Sequence, residues 1–541
     1  MLALGIVKSH EPAACIVDDQ KGIIAWVAEE RFAGLKHPMY LFPERSIRYC
    51  LTVAGLKSIN EVDKICFTYH PKERAVAATR QYLRNFKPIQ LFSDVPFTFY
   101  ENKTKDVKLL RNLFNLDTRN GPKIEFFNHH SCHAASTYYC SGFKKSKIIT
   151  IDSRGDTNNG MFAIGTDMQI EKINEIKPEY SIGTVYSLVT EILGFDRNGD
   201  AGKTMGLAPY GKNYLPIFDK ILQIKDGNVK VDLKPLNGLP RRLWHEPLTD
   251  AHKDLAYSVQ KRLEQVEVEI LEYLNKYDDT RNLCLAGGVA LNCVSNGVLL
   301  QHDSVDNIYV QAASSDEGVA LGAALLGLNM RVKMDHAYFG PEYDNAKIKS
   351  LLDNAGVYYY ESSEPEKIAA EALAKDKIVG WFQGRMEVGP RALGNRSILA
   401  NPSKAEMKDA VNLRVKHREN WRPLCPSFLA ERAGEFGINH ESPFMVLSFD
   451  IAPEKRGDIA AVVHVDGSAR PQTVTPEQNR KYYDLIKHFD KQTGIPVLMN
   501  TSLNIQGQPI IENPKQAIAF FYSEGADMMV LGNYVLEKAR K

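Results

Sequence analysis

His129 and His133 lie four residues apart in the run Asn128-His129-His130-Ser131-Cys132-His133-Ala134-Ala135-Ser136. On a helix both imidazoles project from one face and can share one metal ion. The spacing is HxxxH without the glutamate of a zinc protease, so peptide hydrolysis is not implied. Two histidines need further ligands. Asp152 and Asp316 are candidates, since each follows an apolar strand or loop and stands ahead of a glycine. The competing readings are a helix-capping or phosphate-contacting histidine pair, and turn or N-cap aspartates.

A second concentration of chemistry is cationic. Arg385, Arg391 and Arg396 recur through GRMEVGPRALGNRS, Arg414, Lys416, Arg418 and Arg422 through NLRVKHRENWRP, and Arg470 lies in HVDGSARPQ. Arginine favours bidentate grips on phosphate or carboxylate. These cations are mixed with Gly, Pro and Asn rather than with Glu/Lys pairs, so an anionic small-molecule pocket is favoured over a solvated helix face. An RNA surface would want interleaved stacking aromatics, and Trp421 is the main one. Asn500-Thr501-Ser502, after the strand-like GIPVLM, offers short hydrogen-bonding groups to the same pocket. Gly287-Gly288 and Gly318…Gly322 fit a backbone that approaches a phosphate or ribose closely, with ordinary strand–helix turns as the alternative. Lys36-His37, taken alone, reads as a solvated pair.

The elements that must position these residues begin with LALGIV, AACIVDD and GIIAWVAEERF, a strand–turn–strand–turn–strand pattern. A second such unit is KKSKIITIDSRGDTNNGMFAIG, whose first strand ends at Asp152. A third, NLCLAGGVALNCVSNGVL, runs from a strand through Gly287-Gly288 into a helix. Residues 253–277 carry apolar positions at helical spacing. Hairpins whose loops carry Asp and Gly suit a split nucleotide-binding fold with one cleft between two sheets. A boundary falls within 334–365, followed by a second α/β unit. No internal repeat or low-complexity tract is evident.

The chain has 541 residues, 44% hydrophobic and 25% charged, the balance of a folded protein with sizeable cores. Lys+Arg 67 against Asp+Glu 66 leaves a net charge of +1, so no global field draws in nucleic acid or acidic membranes. The 8 cysteines lack close CxxC pairs, which argues against a disulfide framework or zinc ribbon and fits a reducing cytosol. No signal-peptide pattern or membrane-length apolar window is present. A cytoplasmic location without a membrane partner is expected.

These motifs together resemble the O-carbamoyltransferases of the NodU/CmcH family. The resemblance runs through LGIV…AEERF…KH, HHSCHAAS, DSRGD, GKTMGLAPYG, LAGGVALN and SSDEGVALGAA, then GRMEVGPRALGNRSILANP, VKHRENWRP, HVDGSARPQTV and NTSLNIQGQPI. It implies an α/β protein with an actin-like ATPase (ASKHA) domain over 1–345 and a YrdC-like domain over 346–541. The YrdC-like domain would make carbamoyl-adenylate from carbamoyl phosphate and ATP, and the first domain would transfer the carbamoyl group to a hydroxyl-bearing small-molecule or sugar acceptor. The resemblance implies His129, His133, Asp152 and Asp316 as ligands of Fe(II) or another divalent metal. Lys36, Gly183, Gly288 and Asn292 would line the adenylate site, with Lys36 also catalytic. His10 would lie near the acceptor as the candidate for taking its proton. Arg391, Lys416, Arg422, Arg470, Asn500 and Ser502 would hold carbamoyl phosphate and Mg-ATP, with Arg391 and Lys416 acting in catalysis. A homodimer is one assembly it leaves open.

Two departures bear on the acceptor. The first loop reads His10-Glu11-Pro12-Ala13 where the family has His-Asp followed by small residues, and Asp152-Ser153-Arg154-Gly155-Asp156 replaces the usual D-G-x-G-D/E. Competing functions are a carbamoyl-type modification of a tRNA base, which would want a basic aromatic-bearing face, and a non-catalytic nucleotide-sensing module, which gives the Arg-rich segment no task.

Overall fold

The computed structural model describes residues 1–39, 41–71 and 104–538. Strands β1 Leu2–Val7, β2 Ala13–Asp18 and β3 Gly22–Ala28 pair antiparallel, while β4 Lys64–Phe67 and β5 Lys123–Phe126 continue from β1 in parallel. The resulting order is β3-β2-β1-β4-β5. Side-chain alternation along β1 divides it between two cores. Ala3 and Val7 join one apolar cluster, while Leu4 and Ile6 face Ile47, Cys50 and Leu51 of the Glu44–Val53 helix in another.

A second sheet repeats this plan. Strands β6 Lys145–Ile151, β7 Gly160–Thr166 and β8 Gln169–Ile176 form the antiparallel arm. A hairpin of β9 Leu222–Lys225 and β10 Asn228–Val231 and the long Asp250–Leu274 helix come next in the chain. Strands β11 Asn282–Ala286 and β12 Asn307–Val310 then extend β6 in parallel, giving β12-β11-β6-β7-β8. Read from the antiparallel arm, both sheets have one strand order and one set of directions. This duplication corrects the reading of a chain without an internal repeat. The two halves share strand order and direction, which no run of residue types announces.

Two helices lock the halves together. His129–Tyr138, which follows β5 of the first sheet, packs on β6 and β11 of the second. Glu317–Leu328, which follows β12 of the second sheet, packs on β1 and β2 of the first. They also pack on each other, so close that a Cβ on Gly322 would strike the Cys132 carbonyl, whereas one on Gly318 would strike the Ala313 carbonyl in the turn leading into its own helix. Gly322 is therefore a helix-packing position and Gly318 a tight-turn position, rather than the ligand cradle their spacing suggested.

The rest of the chain builds an eight-stranded mixed sheet of β13 Tyr360–Glu361, β14 Val379–Phe382, β15 Arg396–Ala400, β16 Cys425–Leu429, β19 Gln472–Val474, β20 Val497–Ser502, β21 Met528–Leu531 and β22 Tyr534–Glu537. A short pair, β17 Phe449–Asp450 and β18 Ser468–Ala469, stands apart from it. Alternate residues again serve opposite faces: Phe382, Ile398 and Met499 enter one core, Trp381, Leu399 and Leu498 the other. All eight cysteines are buried and none is in a disulfide. Among the described residues, no helix is long and apolar enough to cross a membrane.

Candidate active site

Asn128 caps the His129–Tyr138 helix by accepting from the Ser131 N–H at 3.2 Å, which sets both histidines on its first turns. Asp316 stands at the N-terminus of the partner helix, and Asp152 directly follows β6. The meeting of the two helices with this strand end brings one donor atom of His129, His133, Asp152 and Asp316 within 4.8 Å of each other. His133 Nε2 lies 2.8 Å from Asp152 Oδ2 and 3.8 Å from Asp316 Oδ1, while His129 Nε2 lies 3.7 and 3.5 Å from the same two atoms. The two Nε2 atoms are 3.2 Å apart. Four ligands at ~2.1 Å from one ion stand roughly 3–3.5 Å from one another. The donor set and its spacing therefore fit a divalent metal.

The electrostatics agree with that reading. Burial pulls the His129 imidazolium down, but Asp316 and Asp152 outweigh it and push its pKa up to about 10. Burial works against the Asp316 and Asp152 carboxylates, yet the two histidines hold both below the usual carboxylate range. Carboxylates held ionised in a buried pocket beside two imidazoles make a site whose negative charge a cation neutralises. His130 is not part of the set. Its Nδ1 is 2.9 Å from Thr150 Oγ1, and burial beside two other histidines holds it neutral.

Backbone supports Asp152 from outside. The Gly288 N–H donates to Asp152 Oδ1 at 2.9 Å, and a Cβ on Gly288 would stand 2.8 Å from that oxygen. Gly183, in the first turn of the Ile182–Ile192 helix, approaches the Ser153 N so closely that a Cβ would stand 2.7 Å from it. Asn292 caps the Cys293–Leu300 helix, and its side chain exchanges two hydrogen bonds with Gln260, at 2.8 and 3.1 Å. Gln260 is held in turn by the Tyr186 hydroxyl at 2.9 Å. Gly183 and Gly288 thus converge on the Asp152 end of the cluster. The N-termini of two helices, at Gly183 and Asn292, are places where an anion is favoured.

The cationic residues separate into two groups. Arg385 donates to the carbonyls of Phe339 at 2.6 Å and Ile24 at 2.8 Å. Arg396 is fully buried, lies 3.6 Å over the Phe382 ring and donates to the Asn395 and Pro341 carbonyls. Arg414 is exposed and reaches the Gly525 carbonyl and Asp527. All three have structural partners, which corrects their assignment to the anion pocket. Arg391, Arg418, Arg422 and Arg470 instead face one another with Lys416. Burial and these like charges lower Arg391 to about 10 and Arg418 to about 9, and Lys416 is pulled down by burial, Arg418, Arg422 and Lys36.

Lys416 Nζ donates to the Ser502 carbonyl at 2.8 Å and its hydroxyl at 3.2 Å. Asn500 Nδ2 reaches Ser427 Oγ at 3.1 Å and the Ala392 carbonyl beside Arg391 at 3.2 Å. Arg470 donates to Cys425 Sγ at 2.9 Å. The sequence-predicted set of Arg391, Lys416, Arg422, Arg470, Asn500 and Ser502 is therefore one cluster. Arg418 and Asn504 belong to it as well, Asn504 through its carbonyl 2.7 Å from Lys416 Nζ. Lys36 is exposed, and its charge is among those that lower Lys416. Trp421 is half-buried against Phe195, so it is not a free stacking platform.

Residues 3–325 match the family model described as Carbamoyltransferase N-terminus, and residues 370–538 the one described as Carbamoyltransferase C-terminus. The chain belongs to the carbamoyltransferase family. It is accordingly a transferase enzyme. It is 37% identical over 98% of its length to the nodulation protein NolNO of Sinorhizobium fredii, covering 79% of that protein. A 3'-hydroxymethylcephem-O-carbamoyltransferase of Amycolatopsis lactamdurans is 31% identical over 64% of this chain and 66% of its own. Among solved structures, T. kodakarensis HypF is 14% identical with a TM-score of 0.38, over 61% of this chain and 47% of that one.

Proposed function

We propose that this carbamoyltransferase is an ATP-dependent O-carbamoyltransferase working in two steps. Residues 346–541, read as YrdC-like, form carbamoyl-adenylate. Carbamoyl phosphate gives up its phosphate with water, a carbamoyl oxygen bonds to the α-phosphorus of ATP, and pyrophosphate leaves. Residues 1–345, read as actin-like, transfer the carbamoyl group to an acceptor hydroxyl and release AMP. The observation that carries the reading is the cluster of Arg391, Lys416, Arg418, Arg422 and Arg470, where Glu419 is the one carboxylate within 4 Å of a cation among the described residues. Two polyanions approaching each other need this neutralisation, with Mg²⁺ on the nucleotide. The duplicated sheet order supports the actin-like reading of the first part.

In the transfer half, Gly183, Gly288 and Asn292 would receive the adenylate through backbone N–H groups and the helix ends, with Lys36 on its phosphate. A divalent metal held by His129, His133, Asp152 and Asp316, Fe(II) among the ions this donor set suits, would polarise the adenylate's phosphate or carbamoyl oxygen. The acceptor's proton leaves on the His10 side of the site. The cytoplasm supplies carbamoyl phosphate and ATP together. The name of the cephem relative supports an oxygen acceptor on a small molecule. The test is a panel of hydroxyl-bearing sugars and glycosides incubated with enzyme, Mg-ATP and carbamoyl phosphate. A mass gain of one carbamoyl group that requires both donors is expected, and gain without ATP, or on amines alone, would overturn the assignment.

A further inference from the structure

His10, Glu11 and His37 form a second cluster, of which the reading above uses one member. One donor atom of each lies within 4.8 Å of those of the other two, and none belongs to the first cluster. Glu11 Oε1 is 3.3 Å from His37 Nδ1, with side-chain exposures of 16% and 21%. The His10 and His37 rings stack with centroids 4.4 Å apart and planes at 28°. A simple histidine–carboxylate ion pair needs only two of these groups. The second imidazole brings a third donor atom within 4.8 Å of the other two.

His37 is held there rather than in solvent. Its backbone N–H donates to Glu30 Oε2 at 3.2 Å, and its φ is 50°. In that region a side chain other than glycine costs roughly 1–2 kcal/mol, so the surrounding structure must hold it. The ring packs beside Gly199, where even a Cβ would stand 3.7 Å away. The neighbourhood is acidic: Glu11 feels Asp316, and Glu30 lies on the other side. Glu30 is itself 3.2 Å from Arg31.

We infer that His10, Glu11 and His37 hold a second divalent transition-metal ion, separate from the one fitted by His129, His133, Asp152 and Asp316. Two imidazoles and one carboxylate suit manganese, iron, cobalt or zinc better than magnesium or calcium, whose preferred ligands are all oxygen. Three protein ligands leave open positions, which an oxygen of water or of a hydroxyl-bearing acceptor can take. That last assignment rests on the proposed function, while the binding of the ion does not. With the ion bound, His10 serves as a ligand instead of a free base.

The test is metal stoichiometry on the full chain, stripped and reloaded with Co²⁺, read by elemental analysis and by the visible absorption of the bound ion. The wild type should hold about two ions per chain, and Glu11→Gln and His37→Asn about one each. Asn is chosen at position 37 because it tolerates the left-handed backbone. His133→Ala should also hold about one, with the spectrum of the remaining ion different from that left in Glu11→Gln. Circular dichroism and thermal melting check that each variant is folded. One ion in the wild type, or two retained in both Glu11→Gln and His37→Asn, would overturn the second site. Two ions with no carbamoyl transfer to any acceptor would instead count against the proposed function.

Discussion

Replacing Arg422 by alanine should separate binding from folding. In the free protein its guanidinium lies among Arg391, Arg418 and Lys416, and its ion pair is a 3.7 Å contact to Glu419, with both side chains partly exposed at 24% and 34%. Such a pair is worth about 0.2–1 kcal/mol, and its loss is offset by relief of repulsion between the remaining cations. Stability should therefore change by less than about 1 kcal/mol. A charge-assisted hydrogen bond to a phosphate oxygen, by contrast, is worth about 1.5–3 kcal/mol, or roughly 10- to 150-fold in affinity. Where the contact tightens as pyrophosphate departs, the loss rises to about 100–1,000-fold in rate. Pyrophosphate release with ATP and carbamoyl phosphate, beside a denaturant melt, measures both quantities. Wild-type synthesis in Arg422→Ala would refute the pocket, and a fall in stability large enough to explain the loss of activity would refute the argument about repulsion.

Other changes probe different links. His133→Ala should lose the metal fitted by its cluster and slow transfer from supplied carbamoyl-adenylate by about 100-fold or more, as several kcal/mol of charge stabilisation disappears. Adenylate synthesis should persist, and its loss would contradict the division of labour. Burial and Glu264 push the Glu267 carboxyl up to about 7, against a hydrogen bond from Ser295. A carboxyl raised above its unfolded value near 4.5 favours folding at low pH and costs stability as pH rises toward 7. The difference is worth about 3 kcal/mol by pH 8. Glu267→Gln should remove most of that decline between pH 5 and pH 8 in urea melts, and parallel curves for the two proteins would refute it. Gly322→Ala should destabilise by about 1–3 kcal/mol or more, because its Cβ would meet the Cys132 backbone. An unchanged melting temperature would refute the close helix contact.

The histidine spacing, the strand ending at Asp152 and the Arg-rich segment were legible in the sequence because each expresses local chemistry. The duplicated strand order was not, since its two halves share directions and pairings rather than residue patterns. Arg385, Arg391 and Arg396 look alike in GRMEVGPRALGNRS. Pairing of β14 with β15 buries Arg396 over Phe382, while the Ala392 carbonyl next to Arg391 accepts from Asn500. Gly318 and Gly322 carry the same ambiguity, which the helix–helix contact at Gly322 and the tight turn at Gly318 decide in favour of packing. His37 reads as solvated in the sequence because the residues that hold it, Glu11 and Glu30, stand outside its own Lys36-His37 motif.

In the proposed function the chain makes its own activated donor. Incubating the metal-loaded protein with ATP, Mg²⁺ and carbamoyl phosphate, without any acceptor, and analysing the products by mass spectrometry tests it directly. Carbamoyl-adenylate and pyrophosphate, both strictly dependent on carbamoyl phosphate, are expected. Folded, metal-loaded protein that forms neither would contradict it.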